Sequence, residues 1–218
     1  MKDSELIDCL NEYKEDVLEI LFTNNQRHFA DYFSIKNGFQ DGNFAGDFKS
    51  DFCNFYILNG PGGMNNIQQK KFFELLSEKE RDLIKILESL YGIPGYGNQR
   101  RLFLSFGTKL LHTINETLPI YDGNVAKVLG LSNQNYPDSR EARIQNRVDI
   151  YNELKKRFDV LLENSDIRAY LDDIRRKLNT EYKQISNAKL LDSSLWALYT
   201  ICSKPKKQNK KSTNSKNI

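Results

Sequence analysis

The sequence predicts an all-α protein, with one helical domain over residues 1–203. Apolar residues recur at helical spacing in most segments, alternating apolar and polar runs are scarce, and clusters of Gly, Pro and Asn separate the helical segments. The chain has 218 residues, of which 39% are hydrophobic and 28% charged. It is therefore long enough to bury a core in a single domain, or in a domain of two lobes with a site between them.

Helices are separated by breaker residues in the first half of the chain. The first helix shows Leu6, Leu10, Val17 and Leu21 at helical spacing. The segment 24–47 has three glycines and many Asn and Asp residues, which predicts short helical turns and loops. Ser77 is followed by acids and is the predicted N-cap of the last helix in this half. The predicted helices cover residues 4–22, 51–58, 68–77 and 77–91.

The second half begins at a glycine- and proline-rich turn, residues 92–97. Amphipathic segments follow it, separated by short loops with Asn, Asp and Pro. The predicted helices cover residues 100–114, 122–129, 140–162, 165–179 and 187–202.

Positive charge is concentrated at the end of the chain. Residues 204–218 contain six lysines and no acid, and we predict that this tail is disordered. Because the whole chain carries +3 and the tail carries +6, residues 1–203 carry −3. Any affinity for nucleic acid must therefore come from a local basic patch, from the tail, or from both.

Several classes of protein are disfavoured by composition. No run of about 18 apolar residues occurs, and acids stand near the N-terminus where a signal peptide would be basic. The three cysteines are far apart and only two histidines are present. These features indicate a cytoplasmic protein with no membrane partner, no disulfide framework, no metal site and no cofactor.

One polar set lies within the otherwise apolar segment 102–131. On a helix, Ser105, Lys109 and His112 share one face, because they are four and three residues apart. Gly107 leaves room between them for a second helix to approach closely. Such a stripe indicates either an inward-facing functional site or a solvent-exposed outer face.

Asp122 stands where an apolar run ends and a helix begins. A carboxylate there accepts hydrogen bonds from free backbone amides, and the helix dipole favours its charge. The position is compatible with a plain N-cap or with a catalytic carboxylate. Asn124, in the first turn of the same helix, is a candidate pocket residue.

The motifs of this region resemble a known family. Ile-Pro-Gly-Tyr-Gly at residues 93–97 is followed by a helix, a short loop and Pro-Ile-Tyr-Asp at residues 119–122. This order resembles the helix-hairpin-helix DNA glycosylase superfamily, in which a Leu-Pro-Gly-Val-Gly-like hairpin precedes an apolar run ending in the catalytic Asp. Ser-Phe-Gly-Thr-Lys-Leu-Leu-His at residues 105–112 is more similar to bacterial 8-oxoguanine DNA glycosylase-like proteins, and residues 189–198 resemble the closing helix of some of them.

The resemblance covers about half of the chain and implies a function. It implies a helix-hairpin-helix glycosylase-like domain that excises a damaged or modified base from duplex DNA, with Asp122 as the catalytic carboxylate. Gly95 and Gly97 would take special backbone geometries in the hairpin, whose free amides suit a DNA phosphate. Arg100 and Arg101 would add positive charge, unless they only form a solvated helix start.

The sequence departs from the family at the nucleophile. Members that also cleave the strand carry a lysine two residues after the second hairpin glycine, and here that residue is Gln99. Lys109 lies 13 positions before Asp122, a shorter separation than the family shows. Either the hairpin is remodelled and Lys109 is the nucleophile, or the lysine function is absent.

A flipped base would need a pocket with stacking and polar groups. Ser105, His112, Asn124 and Trp196 are the candidates, although a lone Trp is also a common core residue. Three functions remain open: a base-excision glycosylase with or without lyase activity, a catalytically silent DNA-binding module, and a helical interaction protein with no nucleic-acid role.

Overall fold

The computed structural model describes residues 2–42, 44, 46–131 and 137–203. Within these ranges every regular element is helical and no strand occurs, which confirms the all-α prediction. The predicted tail, residues 204–218, lies outside the described residues. The helices are α1 Asp3–Glu12, α2 Lys14–Gln40, α3 Asp47–Tyr56, α4 Asn66–Ser77, α5 Leu83–Tyr91, α6 Leu104–Ile114, α7 Gly123–Val128, α8 Arg140–Glu163, α9 Ser165–Lys177 and α10 Asn187–Cys202, with short 3-10 turns at Tyr96–Asn98 and Thr180–Tyr182.

The long helix α2 contradicts the prediction of loops over residues 24–40. Phe29, Tyr32 and Ile35 are spaced three residues apart and are all buried in the core. The burial of this apolar stripe outweighs the low helix propensity of the surrounding Asn and Asp residues. The helix is nevertheless distorted at Asn24 and Gln26, where φ is 51° and 61°.

Two helices begin later than predicted. α5 begins at Leu83, because Asp82 rather than Ser77 is its N-cap and accepts a hydrogen bond from the amide of Ile84 at 2.8 Å. Ser77 instead ends α4, where its hydroxyl donates to the carbonyl of Glu74 at 2.7 Å. α6 begins four residues after the predicted position 100, because the chain between the 3-10 turn and Leu104 is extended.

α10 is the central helix of the molecule. It contacts α2, α7, α8 and α9, and its bounds are those predicted. Its inner face includes the buried polar residues Lys189, Asp192, Ser193 and Ser194. Since α2 and α7 lie against the same helix, residues from distant parts of the chain converge beside it. Within the described ranges, no helix is both long and apolar enough to cross a bilayer.

α5 and α6 approach each other closely at Gly107, as expected. A Cβ atom at this position would lie 3.1 Å from Leu83 and 3.4 Å from Ile86. This close approach orients α6, so that its opposite side faces α3 and carries Lys109 toward the carbonyl of Tyr56.

Candidate functional site

A cavity of about 350 Å³ lies where α2, α3, α6 and α10 meet the start of α7. Three residues singled out from the sequence line it, namely Lys109, Asp122 and Trp196. We call it the lysine cavity. Further lining residues that the sequence did not suggest are His28, Phe55, Tyr56, Lys189, Asp192 and Ser193.

Lys109 is a partly buried amine. Its Nζ donates to the main-chain carbonyl of Tyr56 at 3.1 Å and lies 5.5 Å and 5.1 Å from the ring centres of Tyr56 and Phe106. Burial lowers the pKa of Lys109 to about 8, an effect that the carboxylates of Asp122 and Asp192 partly offset. A substantial fraction of this side chain is therefore uncharged at mildly alkaline pH, as a nucleophilic amine requires.

Asp122 is the N-cap of α7. Its Oδ1 accepts a hydrogen bond from the amide of Asn124 at 2.8 Å, which confirms the predicted cap. The cap fixes the carboxylate at the cavity wall and places its negative charge at the positive end of the helix. Asn124 contributes its main-chain amide to this cap and is not among the residues lining the cavity.

His112 supports the loop between α6 and α7 rather than lining the cavity. Its Nδ1 lies 2.6 Å from the carbonyl oxygen of Leu118, so Nδ1 carries the proton and donates it. Nε2 therefore accepts from the hydroxyl of Tyr32 at 2.9 Å. Burial lowers the pKa of His112 to about 4, so the ring is neutral. Ser105, the other predicted pocket residue on α6, does not line the cavity either.

A buried ion pair forms the floor of the cavity. Nζ of Lys189 donates to Oδ2 of Asp192 at 2.8 Å, and both residues are buried. The ammonium also lies 5.3 Å from the ring of Tyr32 and 5.6 Å from that of Phe55. The signal for this pair was present in the sequence, since two opposite charges stand three residues apart in a helix that is otherwise mostly apolar.

An aromatic wall closes one side of the cavity. The rings of His28 and Trp196 are nearly parallel, with an interplanar angle of 5° and centroids 6.2 Å apart. His28 Nε2 lies 3.0 Å from the hydroxyl of Ser193, and burial lowers the pKa of His28 to about 3, with Lys189 adding to the effect. Trp196 is 39% exposed, so it is not the core residue that composition alone allowed.

The two hairpin glycines differ in their backbone geometry. Gly97 has φ 64°, a conformation that L-residues rarely adopt, as expected. Gly95 has φ −90°, so the expectation of a special backbone geometry is wrong there. Its requirement is space, because a Cβ atom would lie 3.1 Å from Oε1 of Gln68 and 3.2 Å from the carbonyl of Gln99.

Side chains from the start of α4 and from the segment before α6 fix the hairpin. Buried Gln68 donates to the carbonyl of Ile93 at 2.9 Å, and Asn65 donates to that of Pro94 at 3.0 Å. Arg100 donates to the carbonyl of Gly92 at 2.6 Å and so caps the end of α5. Arg101 is exposed and donates to the side chain of Gln99 at 3.1 Å. Gln99 is thus engaged by Arg101 and lies outside the lysine cavity.

Comparison of the chain with protein-family models, with curated proteins and with solved structures found no match.

Proposed function

We propose that this chain is a DNA base-excision glycosylase with associated lyase activity, in which Lys109 is the nucleophile and Asp122 the catalytic carboxylate. The observation that supports the proposal best is the shared cavity, which combines an amine of lowered pKa with a carboxylate at a helix N-terminus. A protein that only binds DNA has no need for an amine held in this way.

The proposed reaction begins at the sugar carbon that bears the base. The uncharged Nζ of Lys109 forms a bond to C1′ as the N-glycosidic bond breaks, and the base leaves with the bonding electron pair and takes up a proton. The carboxylate of Asp122 stabilises the positive charge that develops on the sugar. Nζ then gives up a proton and the C1′–O4′ bond breaks, so that O4′ takes a proton and becomes a hydroxyl group while C1′ and Nζ form a protonated Schiff base. The 3′ phosphate then leaves by β-elimination as a C2′ proton is lost.

The rest of the cavity suits an extruded base. Its volume of about 350 Å³ lies in the range of small-molecule sites. The His28–Trp196 wall offers a flat face for stacking, and the carboxylate of Asp192 and the hydroxyl of Ser193 are polar groups in the same lining. Base flipping would bring the sugar between Lys109 and Asp122.

The silent DNA-binding module is the second candidate, and one specific observation favours it. The hairpin carries Gln99 where strand-cleaving members of the similar superfamily have their lysine, and that side chain is bound to Arg101. On this alternative, duplex DNA is bound at the hairpin and no base is removed.

Borohydride trapping on a panel of lesion-bearing duplexes tests the proposal. The wild type should form a covalent adduct on at least one lesion. The trapping rate should increase with pH, with a midpoint near pH 8, because the Lys109 amine loses its proton there. Lys109→Gln should abolish the adduct, whereas Lys156→Gln, which removes an exposed lysine on α8, should leave it unchanged.

Asp122→Asn separates catalysis from folding. Asn is also a good N-cap, so we expect a loss of about 1 kcal/mol or less in stability. Excision should fall by orders of magnitude, because the charge that stabilises the transition state is gone. Undiminished excision by this variant would refute the mechanism, and binding without excision by the wild type would favour the silent module.

A further inference from the structure

A second cavity, of about 260 Å³, lies beside the hairpin, between the end of α5 and the first turns of α8. Its lining includes Arg100, Arg143 and Arg147 and, among the residues that the structure describes, no acidic side chain. We call it the arginine cavity. Because a water molecule occupies about 30 Å³ in the liquid, the cavity has room for a phosphate group and several waters.

Two of these guanidinium groups are oriented by main-chain carbonyls. Nε of Arg143 donates to the carbonyl of Pro137 at 2.6 Å, and Arg100 donates to the carbonyls of Tyr91 and Gly92. A carbonyl acceptor fixes the direction of a guanidinium without neutralising its charge. The fork of donors that a guanidinium carries matches the oxygens of a phosphate.

The positive charge of this cavity comes from the three arginines of its lining. A fourth arginine, Arg140, lies over the ring of Tyr91, 5.4 Å from its centre, but its charge is paired with Glu88 at 3.3 Å. The basic patch stands out because residues 1–203 as a whole carry a negative net charge. A local basic surface of this kind was one of the two sources of DNA affinity that the charge distribution allowed.

We propose that the arginine cavity binds a backbone phosphate of duplex DNA, next to the strand whose base enters the lysine cavity. The inference rests on the proposed function. Three non-helical residues, 101–103, and five helical ones, 104–108, separate Arg100 from Lys109, which limits their Cα separation to roughly 20 Å. Since phosphates recur about every 3.4 Å along the axis of each strand, one duplex spans both cavities within about six nucleotides.

Salt-dependent binding to an undamaged, fluorescently labelled duplex tests this proposal without requiring any chemistry. The double variant Arg143→Gln with Arg147→Gln should bind more weakly, with a salt slope flatter by about 0.9 log units per log unit of salt, as expected for one lost phosphate. The control Lys156→Gln with Arg168→Gln removes two exposed charges elsewhere, from α8 and α9, and should keep the wild-type slope. The double variant Arg143→Lys with Arg147→Lys keeps both positive charges and should retain most of the wild-type salt slope.

Each outcome has a distinct meaning. An unchanged slope in the Gln double variant, or no binding of the duplex by the wild type, overturns the proposal. If the double variant does not fold, as judged by its melting curve, Arg143→Gln alone is measured and should flatten the slope in the same direction. Saturable, arginine-dependent binding of inorganic phosphate with an unchanged DNA slope would also overturn it, in favour of a site for a free anion.

Excision assays on the same variants separate this inference from the proposed function. Arginine-dependent DNA binding by a wild type that excises nothing supports the arginine cavity and refutes the glycosylase. Excision by the wild type, together with a salt slope that does not depend on the arginines, supports the glycosylase and refutes the arginine cavity as a DNA site.

Discussion

The hydroxyl of Thr108 accepts a hydrogen bond of 2.9 Å from the backbone amide of Tyr121. Each of these residues is followed directly by a residue of the candidate site, Lys109 after Thr108 and Asp122 after Tyr121. The same hydroxyl donates to the carbonyl of Ser105 at 3.1 Å, which fixes its direction. One buried hydrogen bond therefore joins α6 to the start of α7 immediately beside the amine and the carboxylate.

Thr108→Val should impair the site more than the fold. The change removes the acceptor of the Tyr121 amide in a fully buried environment, which costs about 1–3 kcal/mol of stability. We expect the trapping rate to fall at saturating DNA and its pH midpoint to shift, because Lys109 and Asp122 change their relative position. Thr108→Ser keeps the hydroxyl and should restore both. If Thr108→Val lowers the melting temperature but leaves the trapping rate and its pH midpoint unchanged, the role of Thr108 is purely structural.

Lys109→Met should make the protein more stable. The pKa of Lys109 is lowered from 10.5 to about 8 by burial, so near pH 7 the folded chain carries the cost of a poorly solvated ammonium. Replacing it with a side chain of similar length should raise the free energy of unfolding by about 1–3 kcal/mol, measured by urea denaturation.

Lys156→Met is the matched control, because this lysine is exposed and its loss should change stability by about 0.5 kcal/mol or less. A lower stability of Lys109→Met would show that Asp122 and Asp192 outweigh the desolvation of the amine. Gain of stability together with loss of trapping is the pattern expected of a residue retained for function.

The two hairpin glycines should respond differently to alanine. Gly97→Ala places a Cβ at φ 64° in open space and should cost about 1 kcal/mol through backbone strain alone. Gly95→Ala brings a Cβ within 3.1 Å of Gln68, whose amide fixes the carbonyl of Ile93. We therefore expect a larger loss of DNA affinity for Gly95→Ala, measured with the undamaged duplex. Equal affinities for the two variants would show that Gln68 does not order the hairpin for binding.

Much of the helical framework follows from local sequence, as α10 and the cap of α7 illustrate. Asp122 was recognisable as an N-cap, and apolar residues at helical spacing predicted the extent of α10. The part of α2 after residue 23 was missed because its Asn- and Asp-rich sequence disfavours a helix, and only packing of Phe29 and its neighbours against distant segments decides the structure.

Only those residues of the candidate site that stand out within a single short segment could be predicted from the sequence. Lys109 and Asp122 were found because each stands out within a short segment. His28 was missed because it lies on the unpredicted part of α2, and its partner Ser193 is 165 residues away. Lys189 and Asp192 form a pair visible in the sequence, but their placement in the lysine cavity depends on how α10 packs against α2 and α3.

Acid should destabilise the fold through two histidines, the buried His112 and the partly buried His28. The folded-state pKa values of His28 and His112 are lowered from 6.5 to about 3 and about 4, mainly by burial. The unfolded chain therefore binds more protons than the folded chain below pH 6.5, and stability falls as the pH drops from 6.5 toward 4. At pH 5 each histidine should account for a loss of about 2 kcal/mol relative to pH 7.

Unfolding of the wild type and of His28→Phe at pH 7 and pH 5 measures the contribution of one histidine. Phe preserves an aromatic ring between Phe55 and Trp196 and removes the titrating group. The variant should lose about 2 kcal/mol less than the wild type over this interval, whatever its stability at pH 7. The interval stops at pH 5 so that carboxylate protonation adds little to the difference. An identical loss in both proteins would mean that His28 binds its proton as readily in the folded cavity as in the unfolded chain, which would contradict the lowered pKa of His28.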